Sequence, residues 1–136
     1  MARYINAPTM DLKLTYHAEN TSIPSHPFIA YSDSDHAGCL DTCRSTGGYI
    51  IKIRTGAVSW SSKQATVALS SMEAEYIASV GAGKEIMWMQ TLLKELHFKI
   101  GGASPLFVDD QSALTVILNP EHHRRMKHIN VNYHWI

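Results

Sequence analysis

A chain of 136 residues is long enough for one domain with a modest core. Lys plus Arg and Asp plus Glu number 12 each, so the formal net charge is zero and a globally basic nucleic-acid binder is not indicated, although a local basic patch stays open. No apolar run reaches membrane-spanning length and no signal peptide precedes the first charges, so a soluble, intracellular chain is expected.

Arg3, Tyr4 and Ile5 look like the end of a helix that Pro8 limits. Leu12, Leu14 and Tyr16 alternate with Lys13 and Thr15, the period of a short strand. Residues 19–27 hold Asn, Thr, Ser and two prolines and read as a loop, the one plausible boundary in the chain. Phe28, Ile29, Ala30 and Tyr31 then open a strand that runs into an acidic end. If that strand continues, Asp33 and Asp35 project to one face. The segment 33–38 reads equally well as a turn, because Asp is a good turn residue. Cys39 and Cys43 lack the partners of a disulfide scaffold or a structural zinc site and read as ordinary reduced thiols.

Residues 47–53 and 57–61 predict two strands joined by Arg54, Thr55 and Gly56, a hairpin that completes a three-stranded antiparallel meander. The longest helix starts at Ser70. Ser70 followed by Glu73 fits a capping box, in which the two side chains satisfy exposed backbone N–H groups. Tyr76, Ile77, Val80, Met87, Leu92, Leu93 and Leu96 recur at roughly helical spacing and predict its buried face. Gly81 and Gly83 weaken the helix by about 1 kcal/mol each relative to Ala, and glycine there permits close packing on a sheet. The cap accounts for Glu73 but not for Glu75. A carboxylate beside buried Tyr76 and Ile77 is costly unless something compensates it, and a metal ion is one candidate.

Gly101, Gly102 and Pro105 end the helix. Leu106, Phe107 and Val108 form a short strand that ends in Asp109 and Asp110, and Ala113, Leu114, Ile117 and Leu118 mark a second helix, the pattern of a parallel crossover. Asn119 and Pro120 stop that helix. Residues 122–128 are a basic run, and a third helix begins near Ile129.

Three acids stand out: Asp33 and Asp109 at strand ends and Glu75 early on a helix. Strand ends in sheets with parallel neighbours collect functional groups. Converging carboxylates repel one another unless cations bind, and hard oxygen ligands with open water positions suit Mg²⁺ or Mn²⁺. Two such ions can activate water and stabilise the leaving oxygen in phosphodiester cleavage. Acids at strand ends are also common turn formers, so spacing by itself leaves both readings open.

The words are more specific than the spacing. Tyr31-Ser32-Asp33-Ser34-Asp35-His36-Ala37-Gly38, Arg44-Ser45-Thr46-Gly47-Gly48-Tyr49, Ser59-Trp60-Ser61-Ser62-Lys63-Gln64 and the run from Leu69 to Tyr76 occur in this order. Asp109-Asp110-Gln111-Ser112-Ala113 and His123-x-Arg125-x-Lys127-His128-Ile129 follow. Over nearly its whole length the chain closely resembles the ribonuclease H domain of copia-type LTR retrotransposon Pol polyproteins. The resemblance implies an α/β, ribonuclease H-like fold, with a mixed central sheet (an antiparallel meander plus a parallel strand) and helices. It implies hydrolysis of the RNA strand of RNA–DNA hybrids by two-metal catalysis during reverse transcription. Asp33, Glu75 and Asp109 match the first three metal-binding carboxylates of that family, with Mg²⁺ or Mn²⁺ as cofactor. The implied partners are the hybrid and the reverse transcriptase and integrase regions of the same polyprotein, in the cytoplasm or nucleus and not at a membrane. Residues 1–27 then correspond to a segment leading from the reverse transcriptase region, and residues 28–136 to the ribonuclease H-like domain.

Within those motifs Asp35 reads as a turn residue, Glu73 as part of the capping box and Asp110 as an N-cap. The basic run matches a family segment that could touch phosphates, or is a solvated loop. Asn130 stands where the family usually has an acid that is not a metal ligand. The family continues into a further strand and a helix carrying a fourth metal-binding Asp, which nothing in residues 133–136 matches. The expectation is a domain lacking its last strand and helix, with an unpaired edge beside the strand that bears Asp109 and weak or no hydrolysis on its own. A non-catalytic nucleic-acid-binding fragment and a decayed transposon relic are the alternative readings.

Overall fold

Alternation along the first strand sorts its side chains between two faces. Phe28, Ala30 and Ser32 are buried on one side, whereas Tyr31, Asp33 and Asp35 are exposed on the other. A computed structural model describes residues 13–16, 28–36, 45–66 and 68–118. Its elements are β1 (Ile29–Asp35), β2 (Ser45–Ile53), β3 (Gly56–Thr66), α1 (Ser71–Glu95), β4 (Leu106–Val108) and α2 (Gln111–Leu118). β1 runs through Asp33 to Asp35 and the turn starts only at His36, so of the two readings of 33–38 the strand holds as far as Asp35, which is a strand residue and not the turn residue it read as. The four strands form one mixed sheet in the order β3-β2-β1-β4. The β1/β2 and β2/β3 pairs are antiparallel and β1/β4 is parallel, the expected meander plus one parallel strand. Among the described residues β4 has a strand neighbour on one side only.

The β2–β3 turn consists of Arg54 and Thr55, with Arg54 in the left-handed region at φ 52°, and Gly56 opens β3 instead of completing the turn. Glycine is required there by a close approach. A Cβ on Gly56 would fall inside the Tyr16 ring, whose hydroxyl donates to the Ala57 carbonyl at 2.6 Å. The strand expected over 12–16 is not formed at residues 13–16, which lie against the hairpin through Tyr16 without strand pairing. β3 is longer than expected, continuing past Ser61 to Thr66.

The sheet's inner face meets α1. Phe28, Ala30, Ile51 and Ile86 form the main core, with Leu93 and Leu106 packed against it, and Tyr76, Val80 and Val116 join the first half of α1 to α2. Burying each large apolar side chain contributes roughly 1.5–3 kcal/mol. The helix face differs from the expected one. Met87, Leu92 and Leu96 are exposed, while Ala74, Ala78, Ser79 and Ala82 are buried beside Tyr76 and Val80. Small residues at the contact bring helix and sheet close together. The glycine that permits this is Gly47 on β2, where a Cβ would stand 3.2 Å from the Ala78 Cβ; at Gly81 it would meet only the Tyr49 ring at an ordinary 3.7 Å.

The outer face carries an exposed row in register across all four strands: Trp60, Ile50, Tyr31 and Phe107. Tyr31 and Phe107 stack with ring centroids 5.2 Å apart. No helix among the described residues is long and apolar enough to cross a membrane. Most of the 1–27 segment, Cys39 and Cys43, the basic run at 122–128, Asn130 and the helix expected near Ile129 lie outside the described residues.

Candidate metal centre

The parallel pairing of β1 with β4 decides where the acids meet. Tyr31 pairs with Phe107 and Ser32 with Val108, so the next residues, Asp33 still within β1 and Asp109 just past β4, stand side by side where that parallel pairing ends. α1 supplies the third acid. Its N-terminus is set by Ser70, whose Oγ accepts from the Glu73 N–H at 3.2 Å, and Glu75 follows in the first two turns. Asp33, Glu75 and Asp109 each bring one carboxylate oxygen within 4.8 Å of the others. Asp33 and Asp109 are exposed, whereas Glu75 is 5 % exposed. The three acids singled out in the sequence therefore converge.

Glu75 is held in an asymmetric way. Its Oε1 accepts from the Ser34 N–H at 2.7 Å and from the Ser34 hydroxyl at 2.8 Å. Its Oε2 is buried and has no hydrogen-bond partner among the described residues. Burial is the main cause that raises the Glu75 carboxyl above its ordinary value; the Ser34 hydroxyl and N–H oppose the shift, and Asp109 and Asp33 add to it. The main chain of Glu75 is anchored as well. The Ser79 hydroxyl donates to the Glu75 carbonyl at 2.9 Å, which commits its proton, so the Ser32 hydroxyl donates to Ser79 Oγ across 3.0 Å.

The neighbouring acids have other partners. Glu73 Oε2 accepts from the Leu69 N–H at 2.9 Å, so the reciprocal half of the capping box reaches one residue before the cap. Asp110 Oδ1 accepts from the N–H groups of Ser112 at 2.6 Å and Ala113 at 3.3 Å, the expected N-cap of α2. Asp35 ends β1 exposed and outside the cluster. Sequence reading missed Ser32, Ser34 and Ser79. The available signal was strand parity, since Ser32 and Ser34 share the face of buried Ala30 and look toward the helix.

The donor set fits a hard divalent cation. Two oxygens on one Mg²⁺, at about 2.1 Å each, lie about 3.0 Å apart when adjacent and about 4.2 Å when opposite, so a cluster spanning up to 4.8 Å closes on one ion by a small rotation of the exposed Asp33 and Asp109 side chains. The buried, unpartnered Oε2 is the further observation, because a buried carboxylate oxygen without a donor is costly and a cation supplies the missing partner. Beside the acids lies an open depression of about 200 Å³ lined by Tyr31, Ser32, Asp33, Phe107, Val108 and Asp109.

The molecule is thus an α/β domain with a carboxylate cluster where two parallel strands end beside a helix. Its relatives give it a context. It is 46 % identical over 116 residues to the retrovirus-related Pol polyprotein from transposon TNT 1-94 of Nicotiana tabacum, covering 82 % of this chain and 8 % of that one. It is 42 % identical over 108 residues to the Pol polyprotein from transposon RE2 of Arabidopsis thaliana, covering 79 % and 7 %. A secreted RxLR effector protein 161 of Plasmopara viticola is 47 % identical over 76 residues, 55 % of this chain and 54 % of that protein. The polyproteins are homologues, and they support a transposon-derived sequence that corresponds to a short segment of a Pol polyprotein. No protein-family model matches the chain, and no solved structure matches it.

Proposed function

We propose that this chain is the ribonuclease H-type region of a transposon Pol polyprotein, acting on the RNA strand of RNA–DNA hybrids with Mg²⁺ or Mn²⁺ as cofactor. The observation that carries the reading is the convergence of Asp33, Glu75 and Asp109, with Glu75 Oε2 buried and unpartnered among the described residues. The order of strands and the homology to Pol polyproteins support it. Reverse transcriptase and integrase regions of the same polyprotein are its proposed neighbours.

In this reading Asp33 and Asp109 hold the ion from the exposed side and Glu75 from the buried side. Such ions, when bound, polarise a phosphoryl oxygen and lower the pKa of water at the site. The chain's own contribution is placement. β1 and β4 deliver two carboxylates at one strand end, and the Ser70 cap sets the helix turn that delivers the third. Three carboxylates suit one hard cation with waters completing its shell. Two ions about 4 Å apart call for further negative charge, which the ribonuclease H resemblance assigns to a later helix.

The test is cleavage of a labelled RNA–DNA hybrid, in Mg²⁺ and separately in Mn²⁺. The 136-residue chain is compared with a version extended by the next strand and helix of a homologous polyprotein, with Asp109→Asn in each as control. Cleavage by the extended chain that Asp109→Asn abolishes supports the reading, with little or none from the 136 residues alone. Hybrid binding without cleavage in either form favours the non-catalytic alternative.

A further inference from the structure

We infer that Ser34 is a positioning residue for the metal centre: it occupies one oxygen of Glu75 with two hydrogen bonds and so reserves the other for a divalent cation. The inference rests on the metal reading above and adds a residue that is not one of the three acids.

Strand parity explains why Ser34 is available. The Ala30 N–H donates to the Pro105 carbonyl at 3.0 Å, so the even-numbered N–H groups of β1 point toward β4. Pairing with β4 stops at Ser32 and Val108. The Ser34 N–H therefore faces a position where the neighbouring strand has ended, and it donates to Glu75 Oε1 instead, at 2.7 Å. The hydroxyl of the same residue donates to the same oxygen at 2.8 Å. A carboxylate is otherwise free to rotate and share both oxygens between donors and ion. Here both Ser34 donors fall on Oε1, and the other oxygen, Oε2, of this cluster carboxylate is left buried and unpartnered among the described residues. Outer partners that orient a ligand in this way typically govern metal affinity by roughly 10–100-fold. Ser32 offers an internal comparison. It lies on the same face of β1 but reaches Glu75 only through Ser79 and the main-chain carbonyl, so it fixes the helix turn without touching the carboxylate.

The experiment measures Mn²⁺ affinity of the 136-residue chain by electron paramagnetic resonance, with thermal unfolding in the absence of metal measured in parallel. Variants are Ser34→Ala, Ser34→Thr and Ser32→Ala. Ser34→Ala retains the backbone donor, so the expected loss is at the lower end of that range, roughly tenfold. Ser34→Thr, which keeps the hydroxyl, restores the affinity. Ser32→Ala lowers the melting temperature and leaves the affinity of the folded chain unchanged. Wild-type affinity in Ser34→Ala, or failure of Thr to restore a lost affinity, overturns the role of Ser34 while leaving the metal centre standing. No Mn²⁺ binding by the wild-type chain removes the metal reading and this inference together.

Discussion

Asp33 and Asp109 are next-in-register neighbours: each is the first residue after the last parallel pair, Ser32 with Val108, of β1 and β4. Two like charges emerge side by side from adjacent strands, and Glu75 brings a third from α1. Without a cation the arrangement opposes folding, and four expectations follow from it and from the packing that holds it.

Glu75 and Glu73 separate by function. Glu75→Gln removes the buried charge of the cluster, and we expect Mn²⁺ or Mg²⁺ affinity to fall by more than about tenfold. Glu73→Gln retains an acceptor for the Leu69 N–H and should bind metal as the wild type does. Calorimetric titration of both variants checks the order, and the reverse order assigns the ligand to Glu73.

Acid should stabilise the metal-free chain locally. The Glu75 carboxyl is raised above its ordinary value of 4.5, chiefly by burial. Between that value and its raised one the folded state binds more protons than the unfolded state, so this group's contribution to stability falls as pH rises through that window. Saturating Mg²⁺ favours the ionised form and should flatten or reverse the slope. Asp33→Asn removes one like charge and should stabilise the metal-free chain near neutrality while weakening metal binding. Urea midpoints against pH, with and without Mg²⁺, measure both; a metal-free midpoint for Asp33→Asn below wild type contradicts the account.

Two glycines should respond oppositely. Gly47→Val places its side chain against the Ala78 Cβ, which the first added carbon alone would meet at 3.2 Å, and a loss of about 1–3 kcal/mol is expected. Gly81→Ala adds a Cβ at 3.7 Å from the Tyr49 ring within α1, so a gain of up to about 1 kcal/mol is expected. Denaturant unfolding of the two variants gives the signs directly.

Asp110 should link helix capping to the site. Asp110→Ala removes the acceptor for Ser112 and Ala113 and should cost about 1 kcal/mol. Because Asp109 is the preceding residue, fraying of α2 should also loosen a ligand. Metal affinity is expected to fall modestly, and Asp110→Asn, a competent cap, should restore both readouts. Separate recovery of only one breaks the link.

Local chemistry was legible from residue order. The Ser70 cap, the Asp110 cap and the hairpin around Arg54 and Thr55 depend on interactions within a few residues, which periodicity and turn preference report. The three acids were also legible, because they sit at element boundaries that the same local signals mark and in motifs that carry a family resemblance. What tertiary structure decided is everything set by neighbours distant in sequence. The strand ran on through Asp35 because β2 pairs with it as far as Thr46, and that partner outweighs the turn preference of Asp. The buried face of α1 follows its small residues, not Met87, Leu92 and Leu96, because Gly47 lets the sheet approach Ala78. Ser34 acquired its place on Glu75 only because β4 ends two residues earlier in the register, leaving an N–H without a strand partner. Where a strand stops relative to its neighbour is a property of pairing between residues more than 70 positions apart, and no local pattern encodes it.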